Sequence, residues 1–470
     1  MGFAFETLGN AAIQVRRDDA PRLTTDPWLV GTCYFGSWAL DHPLTEDEIE
    51  SVRRSPWIWF SHGHPDHLHV PSLELLDRER QTILVSDHYR PEMQDFLRGE
   101  GFRVEVLPFK EWRELEPGLR VLSLPNDNQD SSLLIRAGED LLLDLNDSPV
   151  SGEDPFLRRE VRRARRSYLL MLCSNDADML NIVDAEGRSL AGDPDAKKPG
   201  TVLSVADFAT WLGVDAFCCS SSQHIYARRD STWANPYRIT WSDMQRYWVS
   251  PVRLVEPFVT VDLDSGEIAS NHPSGESDWS QVTDACGDDD WAEPLSGEEW
   301  DELFTFMRRF ELLAERLDFV DFTIGGERRR LALREGVDAI PTDRIRGVHF
   351  RVPRHSLLEA IRAGYFDELL IGNFMKTELV NARMYPDFTP IVAKLGGNAK
   401  VFTRAERRAF RWHYFRRSPL AWMRATRRGW WQRSGLEATR TVARRLGLFG
   451  LAKRLRRRVA GFPPLPPNWP

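Results

Sequence analysis

The sequence predicts an α/β protein: two β-sheets packed face to face between layers of helix, then a small α+β module and a basic helical tail. Three observations lead there. Apolar runs rich in β-formers recur at 56–60, 82–86, 119–124, 132–135 and 141–145 with helix signals around them, the pattern of a sandwich of two sheets flanked by helices. The run at 56–60 opens directly into Ser61-His-Gly-His-Pro-Asp-His-Leu-His69, a loop unusually dense in imidazole. Beyond residue 400 the composition turns to Arg and Trp.

A chain of 470 residues, with 42% hydrophobic and 28% charged residues, is long enough for two or three domains and a large core. No apolar run of about 18 residues interrupts it, which argues against a transmembrane helix. Met1-Gly-Phe-Ala-Phe-Glu6 lacks the basic-then-apolar pattern of a secretion signal. Cys33, Cys173, Cys218, Cys219 and Cys286 are scattered and odd in number, pointing to a reducing, cytoplasmic setting without a disulfide framework. The net charge of −8 hides an asymmetry. Residues 401–470 hold eighteen Arg and Lys against two Glu, a charge of +16, which leaves −24 on the first 400 residues.

The early part of the chain supplies the frame. Thr45, followed by Glu46, Asp47 and Glu48, reads as the N-cap of a short helix. In the histidine loop, His62, His64, Asp66 and His67 are four metal-capable groups within six residues, with oxygen and nitrogen donors suited to zinc, iron or manganese. Gly63 and Pro65 keep the loop from becoming helix, so alternate side chains can fan toward two ions, His62 and His64 to one, Asp66 and His67 to the other. His69 lies one step past the pattern and is expected at the surface or behind a ligand. Ser72 reads as the N-cap of the helix that follows. Helices are expected at 158–166 and 205–212, and strands at 168–173 and 216–220.

The loop resembles the His-x-His-x-Asp-His signature of the metallo-β-lactamase superfamily. The resemblance extends to both sides, through Phe5-Glu-Thr-Leu-Gly-Asn-Ala-Ala-Ile-Gln-Val15 and the Asp26-Pro-Trp-Leu29 segment. From Thr25-Asp-Pro-Trp-Leu-Val-Gly31 through Ser37-Trp-Ala-Leu40 to about residue 275, the chain is similar to the CMP-N-acetylneuraminate hydroxylase family and its bacterial relatives. The resemblance implies an αββα sandwich that holds one or two divalent ions, zinc foremost, with iron or manganese as alternatives. It places Asp26 beneath the metals, orienting a ligand, Asp147 as the carboxylate that bridges them, and His224 as the last metal histidine. It also implies a histidine between the strands near Leu124 and Ser132, where this chain reads Leu124-Pro-Asn-Asp-Asn-Gln-Asp-Ser-Ser132. Asn126, Asp127 or Asn128 stands in its place, and His88 is another histidine that follows a strand. Arg228 and Arg229 follow His224 and offer guanidinium forks to an anionic substrate.

The expected organisation is a metal-binding domain at 1–275, an acidic linker at 276–295, a small α+β module at 296–400 and an Arg/Trp-rich helical tail at 401–470. A helix is expected over 298–317, with strands at 319–324, 329–333 and 348–352 and a helix at 356–363 ended by Gly364. Residues 366–376 resemble the C-terminal module of the same family, placed to cover a substrate or to mediate self-association into a homo-oligomer. The tail suits an anionic membrane surface, which would make the protein peripheral on the inner face of the membrane. Docking onto the acidic remainder of the chain is the alternative; nucleic acid lacks a recognisable module.

Three functions are compatible with these residues. A metal-dependent hydrolase would use metal-activated water, oriented or deprotonated by Asp66 or Asp147, on a phosphoester, amide or lactone of a small-molecule, lipid-derived or sugar-derived substrate. A hydroxylase-like oxygenase component would need a separate electron donor, because the Cys-x-His and Cys-x-x-His boxes of a Rieske centre do not occur. A scaffold that has lost catalysis is the third.

Overall fold

A computed structural model describes residues 2–148, 150–174, 177–271, 289–341, 344–430, 457, 462–465 and 469. Two large sheets dominate the first part. One orders its strands Ile268–Ser270, Val259–Asp262, Phe3–Gly9, Ala12–Arg17, Ala20–Thr25, Trp57–Phe60, Thr82–Ser86 and Arg103–Leu107. The other runs Arg253–Val255, Ala216–Cys219, Ser167–Met171, Asp140–Asn146, Ser131–Ala137, Leu119–Pro125 and Trp112–Glu116. Phe5, Val15, Leu23 and Trp59 of the first meet Val121, Leu133, Ile135, Leu142 and Leu170 of the second in a dry inter-sheet core. Leu141, Leu143 and Leu145 point the other way, onto helices Asp154–Val161 and Pro194–Leu212. A strand buried on both faces has to be apolar at successive positions, which is why Leu141-Leu-Leu143 is a continuous run. Helices Glu46–Arg54 and Glu92–Gly99 cover the outer face of the first sheet. The result is the expected αββα sandwich.

Strand direction positions the site. Ala20–Thr25, Trp57–Phe60 and Thr82–Ser86 are parallel neighbours, and so are Asp140–Asn146, Ser167–Met171 and Ala216–Cys219. Their carboxyl ends deliver Asp26, the histidine loop, His88, Asp147 and the segment before His224 to one rim. Asp26 and Asn146 turn the chain there with positive φ, +38° and +40°, a backbone region that Asp and Asn tolerate better than other non-glycine residues.

A five-stranded sheet forms the core of the later part, in the order Ile182–Val183, Lys376–Val380, Gly347–Arg351, Phe319–Ile324, Glu327–Ala332. Helices Gly297–Arg308 and Arg354–Ala363 pack on it through Trp300, Leu303, Phe306, Leu357 and Ile361. Its edge strand Ile182–Val183 comes from the earlier part of the chain and pairs in parallel with Thr377 and Glu378.

Several expectations on local structure shift. Thr45 caps its helix with the full reciprocal box to Glu48, and Gly364 ends Arg354–Ala363 at φ +87°. Ser72, however, lies inside the helix Val70–Leu73; its hydroxyl accepts the Leu29 N–H, and His69 occupies the N-cap position. The helix expected over 298–317 stops at Arg308 and resumes as a short 3-10 turn, Glu311–Glu315. The helix expected over 158–166 runs Asp154–Val161 instead, entered through Pro155 at its first turn. Helices Arg404–Arg417 and Pro419–Trp430 lie back on the acidic body: Arg428 forks onto Asp154 at 2.6 and 2.7 Å, and Arg417 reaches Asp87 at 2.5 Å. Trp412, Leu420 and Met423 remain more than half exposed, at 58%, 66% and 56%. Most of the acidic 276–295 stretch, and the apolar and basic positions of 446–456, lie outside the described residues. No described helix is long and apolar enough to cross a membrane.

Candidate metal centre

The histidine loop leaves the buried strand Trp57–Phe60 and is fixed from below by Asp26. Its carboxylate accepts the Ser61 N–H at 2.8 Å, the Ser61 hydroxyl at 2.7 Å and His67 Nδ1 at 2.9 Å, and all three residues are fully buried. With Nδ1 engaged, His67 presents Nε2 to the interior of the group. Asp147 Oδ2 lies 3.6 Å from both His62 Nε2 and His67 Nε2. One ligand-type atom each from His62, His67 and Asp147 falls within 4.8 Å of the others, the grouping a single divalent ion requires. His64 joins it through Nδ1, 2.9 Å from His62 Nε2.

Asp66 is held rigidly. Tyr34 donates its hydroxyl to Oδ1 at 2.5 Å, Asn10 Nδ2 donates to Oδ2 at 3.2 Å, and His67 Nε2 stands 3.4 Å from Oδ2. His224, expected as a further ligand, is buried and stacked on Trp38 with ring centroids 3.5 Å apart. It lies outside the His62–His67–Asp147 group but within the electrostatic reach of Asp66.

The electrostatics are those of a cation site. Burial opposes protonation of His67, yet Asp66, Asp147 and Asp26 outweigh it and raise its pKa well above the usual value. Burial likewise works against His64, but Asp367, Asp130 and Asp147 lift it to about 9. His62 goes the other way, pushed well below the ordinary range by burial and by the neighbouring His67 and His64. Burial, with help from Arg238, lowers His224 to about 3. His67 Nε2 and Asp147 Oδ1 are buried without a hydrogen-bond partner among the described residues. Buried polar atoms in native proteins are nearly always satisfied, so orphaned atoms converging from residues of this chemistry fit a bound cation.

Other expectations are corrected. Asp127 does not face the group: it pairs with Lys394 at 2.6 Å. Asn126 gives its side-chain amide to the Ser148 hydroxyl at 2.7 Å. The carboxylate of that loop that does face the group is Asp130, 3% exposed and raised to about 7 by burial and by Asp147. Arg228 is no substrate fork: its guanidinium is 2% exposed and bonds Asp230, the Phe35 carbonyl and the Ser356 hydroxyl. Arg229 is exposed. His69 is buried, bonded to the Ser72 hydroxyl at 2.8 Å and the Thr32 carbonyl at 3.2 Å. Asp367 and Glu368, from the later part of the chain, stand beside His64; burial and Asp367 raise Glu368 to about 8. They are some 300 positions from the motif, and no local pattern could have found them; Asp130 is one of five carboxylate or amide residues in its loop, which the sequence alone does not tell apart.

A cleft of about 440 Å³ opens over the group. It is lined by His62, His64, His88 and Asp130, by the apolar Leu68, Val70, Met93 and Phe96, and by Arg90, Glu92, Tyr365, Glu368 and Lys400.

The sandwich and the His-x-His-x-Asp-His loop at its strand ends define a protein of the metallo-β-lactamase fold. Its similarity to known proteins is confined to part of the chain. Over 121 residues the chain is 32% identical to cytidine monophosphate-N-acetylneuraminic acid hydroxylase of Mus musculus, a stretch covering 25% of this chain and 21% of that protein. The same enzyme of Xenopus laevis is 35% identical over 104 residues, 21% of this chain and 17% of that one. The chain thus spans about a fifth of the length of the curated relatives it matches. Among solved structures, Igni18, a metallo hydrolase from the archaeon Ignicoccus hospitalis, covers 56% of this chain and 99% of its own at 15% identity, with a TM-score of 0.36. No family model matches the chain.

Proposed function

We propose that this protein is a metal-dependent hydrolase of a phosphoester, amide or lactone, with one or two divalent ions held by His62, His64, Asp66, His67, Asp147 and His224. The observation that carries this reading is the convergence of His62, His67 and Asp147 within 4.8 Å, with orphaned buried donor atoms around them. Divalent ions bound there supply Lewis acidity and make water nucleophilic near neutral pH. The chain's own residues do the rest. Asp26 holds His67 in the tautomer that leaves Nε2 free, and Tyr34 and Asn10 fix Asp66. Asp147, with one free carboxylate oxygen, orients the attacking water and takes its proton, while Asp66 has both oxygens engaged. The apolar residues of the cleft, beside Arg90 and Lys400 and the acidic Glu92 and Glu368, favour a substrate with an apolar body and a polar group, as a lipid or sugar derivative has.

The test is metal content by plasma mass spectrometry on protein purified without chelator or affinity tag, followed by hydrolysis assays on phosphodiester, lactone and amide panels. Bound zinc or manganese with turnover that chelation abolishes supports the reading; a folded protein that takes up no metal on reconstitution sinks it. The similarity to the CMP-N-acetylneuraminic acid hydroxylases favours a second reading, an oxygenase component with an external electron donor. Iron in the protein and oxygen consumption driven by an added reductant would select it.

A further inference from the structure

The loop between Leu119–Pro125 and Ser131–Ala137 lacks the histidine that the resemblance led us to expect, and it also supplies an unassigned carboxylate to the lining of the cleft over the centre. Asp130 is 3% exposed; among the described residues its Oδ1 is buried without a partner, and Oδ2 accepts from Asn128 Nδ2 at 2.7 Å. It lines the cleft beside His62 and His64, and it is among the carboxylates whose charge His64 feels. On the far side of the same imidazole stands Asp367. Its Oδ2 is 3.8 Å from His64 Nε2, its Oδ1 is buried and unpartnered, and His64 Nε2 is itself unpartnered. His64 Nδ1 meanwhile points at His62 Nε2, 2.9 Å away, a separation that two ligands of one ion share.

We propose that Asp130 is the metal ligand that replaces the missing histidine, completing a His62–His64–Asp130–Asp147 set, and that Asp367 orients His64 for it. This rests on the metal-dependent reading above. Asp26 is hydrogen-bonded to His67 Nδ1 at 2.9 Å, whereas Asp367 stands 3.8 Å from His64 Nε2, beyond hydrogen-bond distance but close enough for its charge to favour the proton on that nitrogen and leave the other for the ion. The carboxylate comes from a different part of the chain in each case, so ion binding at this position requires the later part of the chain to be docked. Exchange of a nitrogen donor for an oxygen donor makes the position harder, moving its preference from zinc toward manganese or iron(II). A plain buried acidic pair is the competing account, and His88 the competing ligand. His88 also lines the cleft, and both of its ring nitrogens are buried without a hydrogen-bond partner among the described residues, so its variant is part of the test.

The experiment is metal stoichiometry and competition-titrated affinity for zinc and manganese on wild type, Asp130→Asn, Asp130→His, Asp367→Asn, Asp367→Glu and His88→Ala, with Asp127→Asn as a neighbouring control and circular dichroism to verify folding. Asp130→Asn is expected to lose one equivalent or to bind at least tenfold more weakly. Asp130→His is expected to restore binding with the preference moved toward zinc. Asp367→Asn should weaken the same position, with partial rescue by Asp367→Glu. Wild-type stoichiometry and affinity in folded Asp130→Asn would overturn the proposal, as would loss of the equivalent in His88→Ala alone. If Asp130→Asn does not fold, Asp130→His carries the test: a zinc preference equal to wild type overturns it. Absence of metal from wild type would instead strike the hydrolase reading itself, so the two failures are distinguishable.

Discussion

Asp26→Asn separates the role of a single buried carboxylate from the ions it never touches. Asp26 accepts three hydrogen bonds of 2.7 to 2.9 Å, two from Ser61 and one from His67 Nδ1, in a fully buried setting. Asparagine keeps the shape but has only one acceptor oxygen. If that oxygen stays on the Ser61 N–H, the amide NH2 faces His67 Nδ1, and two donors oppose each other. The imidazole then moves its proton to Nε2, the atom that faces Asp147 and Asp66, and loses that lone pair to a ligand. Removing one member of a buried charged pair costs roughly 3–5 kcal/mol of stability. Loss of such an orienting carboxylate costs about 10- to 100-fold in metal affinity. Isothermal titration of the chelator-stripped protein measures the second, and the thermal midpoint of that form the first. A variant that melts earlier but binds metal as tightly as wild type would refute the tautomer account and leave Asp26 a packing residue only.

Further outcomes follow from the same geometry. Arg228→Lys keeps the charge but cannot reproduce the fork onto Asp230 and the bond to Ser356, so the thermal midpoint should fall while KM for an anionic substrate stays unchanged; a raised KM with unchanged melting would return Arg228 to the substrate. Glu299 is held at about 2 by its bonds to Arg354, then by the Ser296 N–H, against an unfolded value of 4.5. A depressed carboxylate stabilises the fold above pH 4.5 and loses that contribution as the pH falls through about 2, so Glu299→Gln should shrink the acid-side drop in thermal midpoint, and identical profiles would refute it. Trp412, Leu420 and Met423 project from the basic helices at 404–430, so co-sedimentation with anionic vesicles should exceed that with zwitterionic ones and fall with Leu420→Ser plus Trp412→Ser. Equal sedimentation with both vesicle types would remove the membrane from the account.

The sandwich was legible because its signals are local. Leu141-Leu-Leu143, Trp57-Ile-Trp59 and the capping box at Thr45 each fix an element within a few residues, and the histidine loop states its chemistry in one turn of chain. The helix after Ser296 was overextended because apolar spacing continued through Leu313 and Leu317, although the helix ends at Arg308; periodicity does not distinguish a continuing helix from a 3-10 turn packed on the same core. At the site, Asp127 and Asp130 are equivalent in sequence, and only the fold turns one toward Lys394 and the other toward His64. Arg228 looked like a surface fork because its partner Ser356 is 128 positions away. Asp367 and Tyr34 were invisible for the same reason, as partners supplied by tertiary structure.

The two-residue strand Ile182–Val183 has a consequence for biosynthesis. It lies in the earlier part of the chain yet takes the edge of a sheet whose partner strand is Lys376–Val380. A ribosome adding about 5–20 residues per second makes the first strand wait roughly 10–40 s for the second. Throughout that interval the nascent sandwich carries an unpaired backbone edge, which any other extended peptide can occupy. The later sheet, in turn, cannot complete its own edge without a segment already built into the other part. The two are stitched across the chain rather than strung along it, so a cut between them would leave a frayed margin on both pieces, and an insertion there would lengthen the exposure.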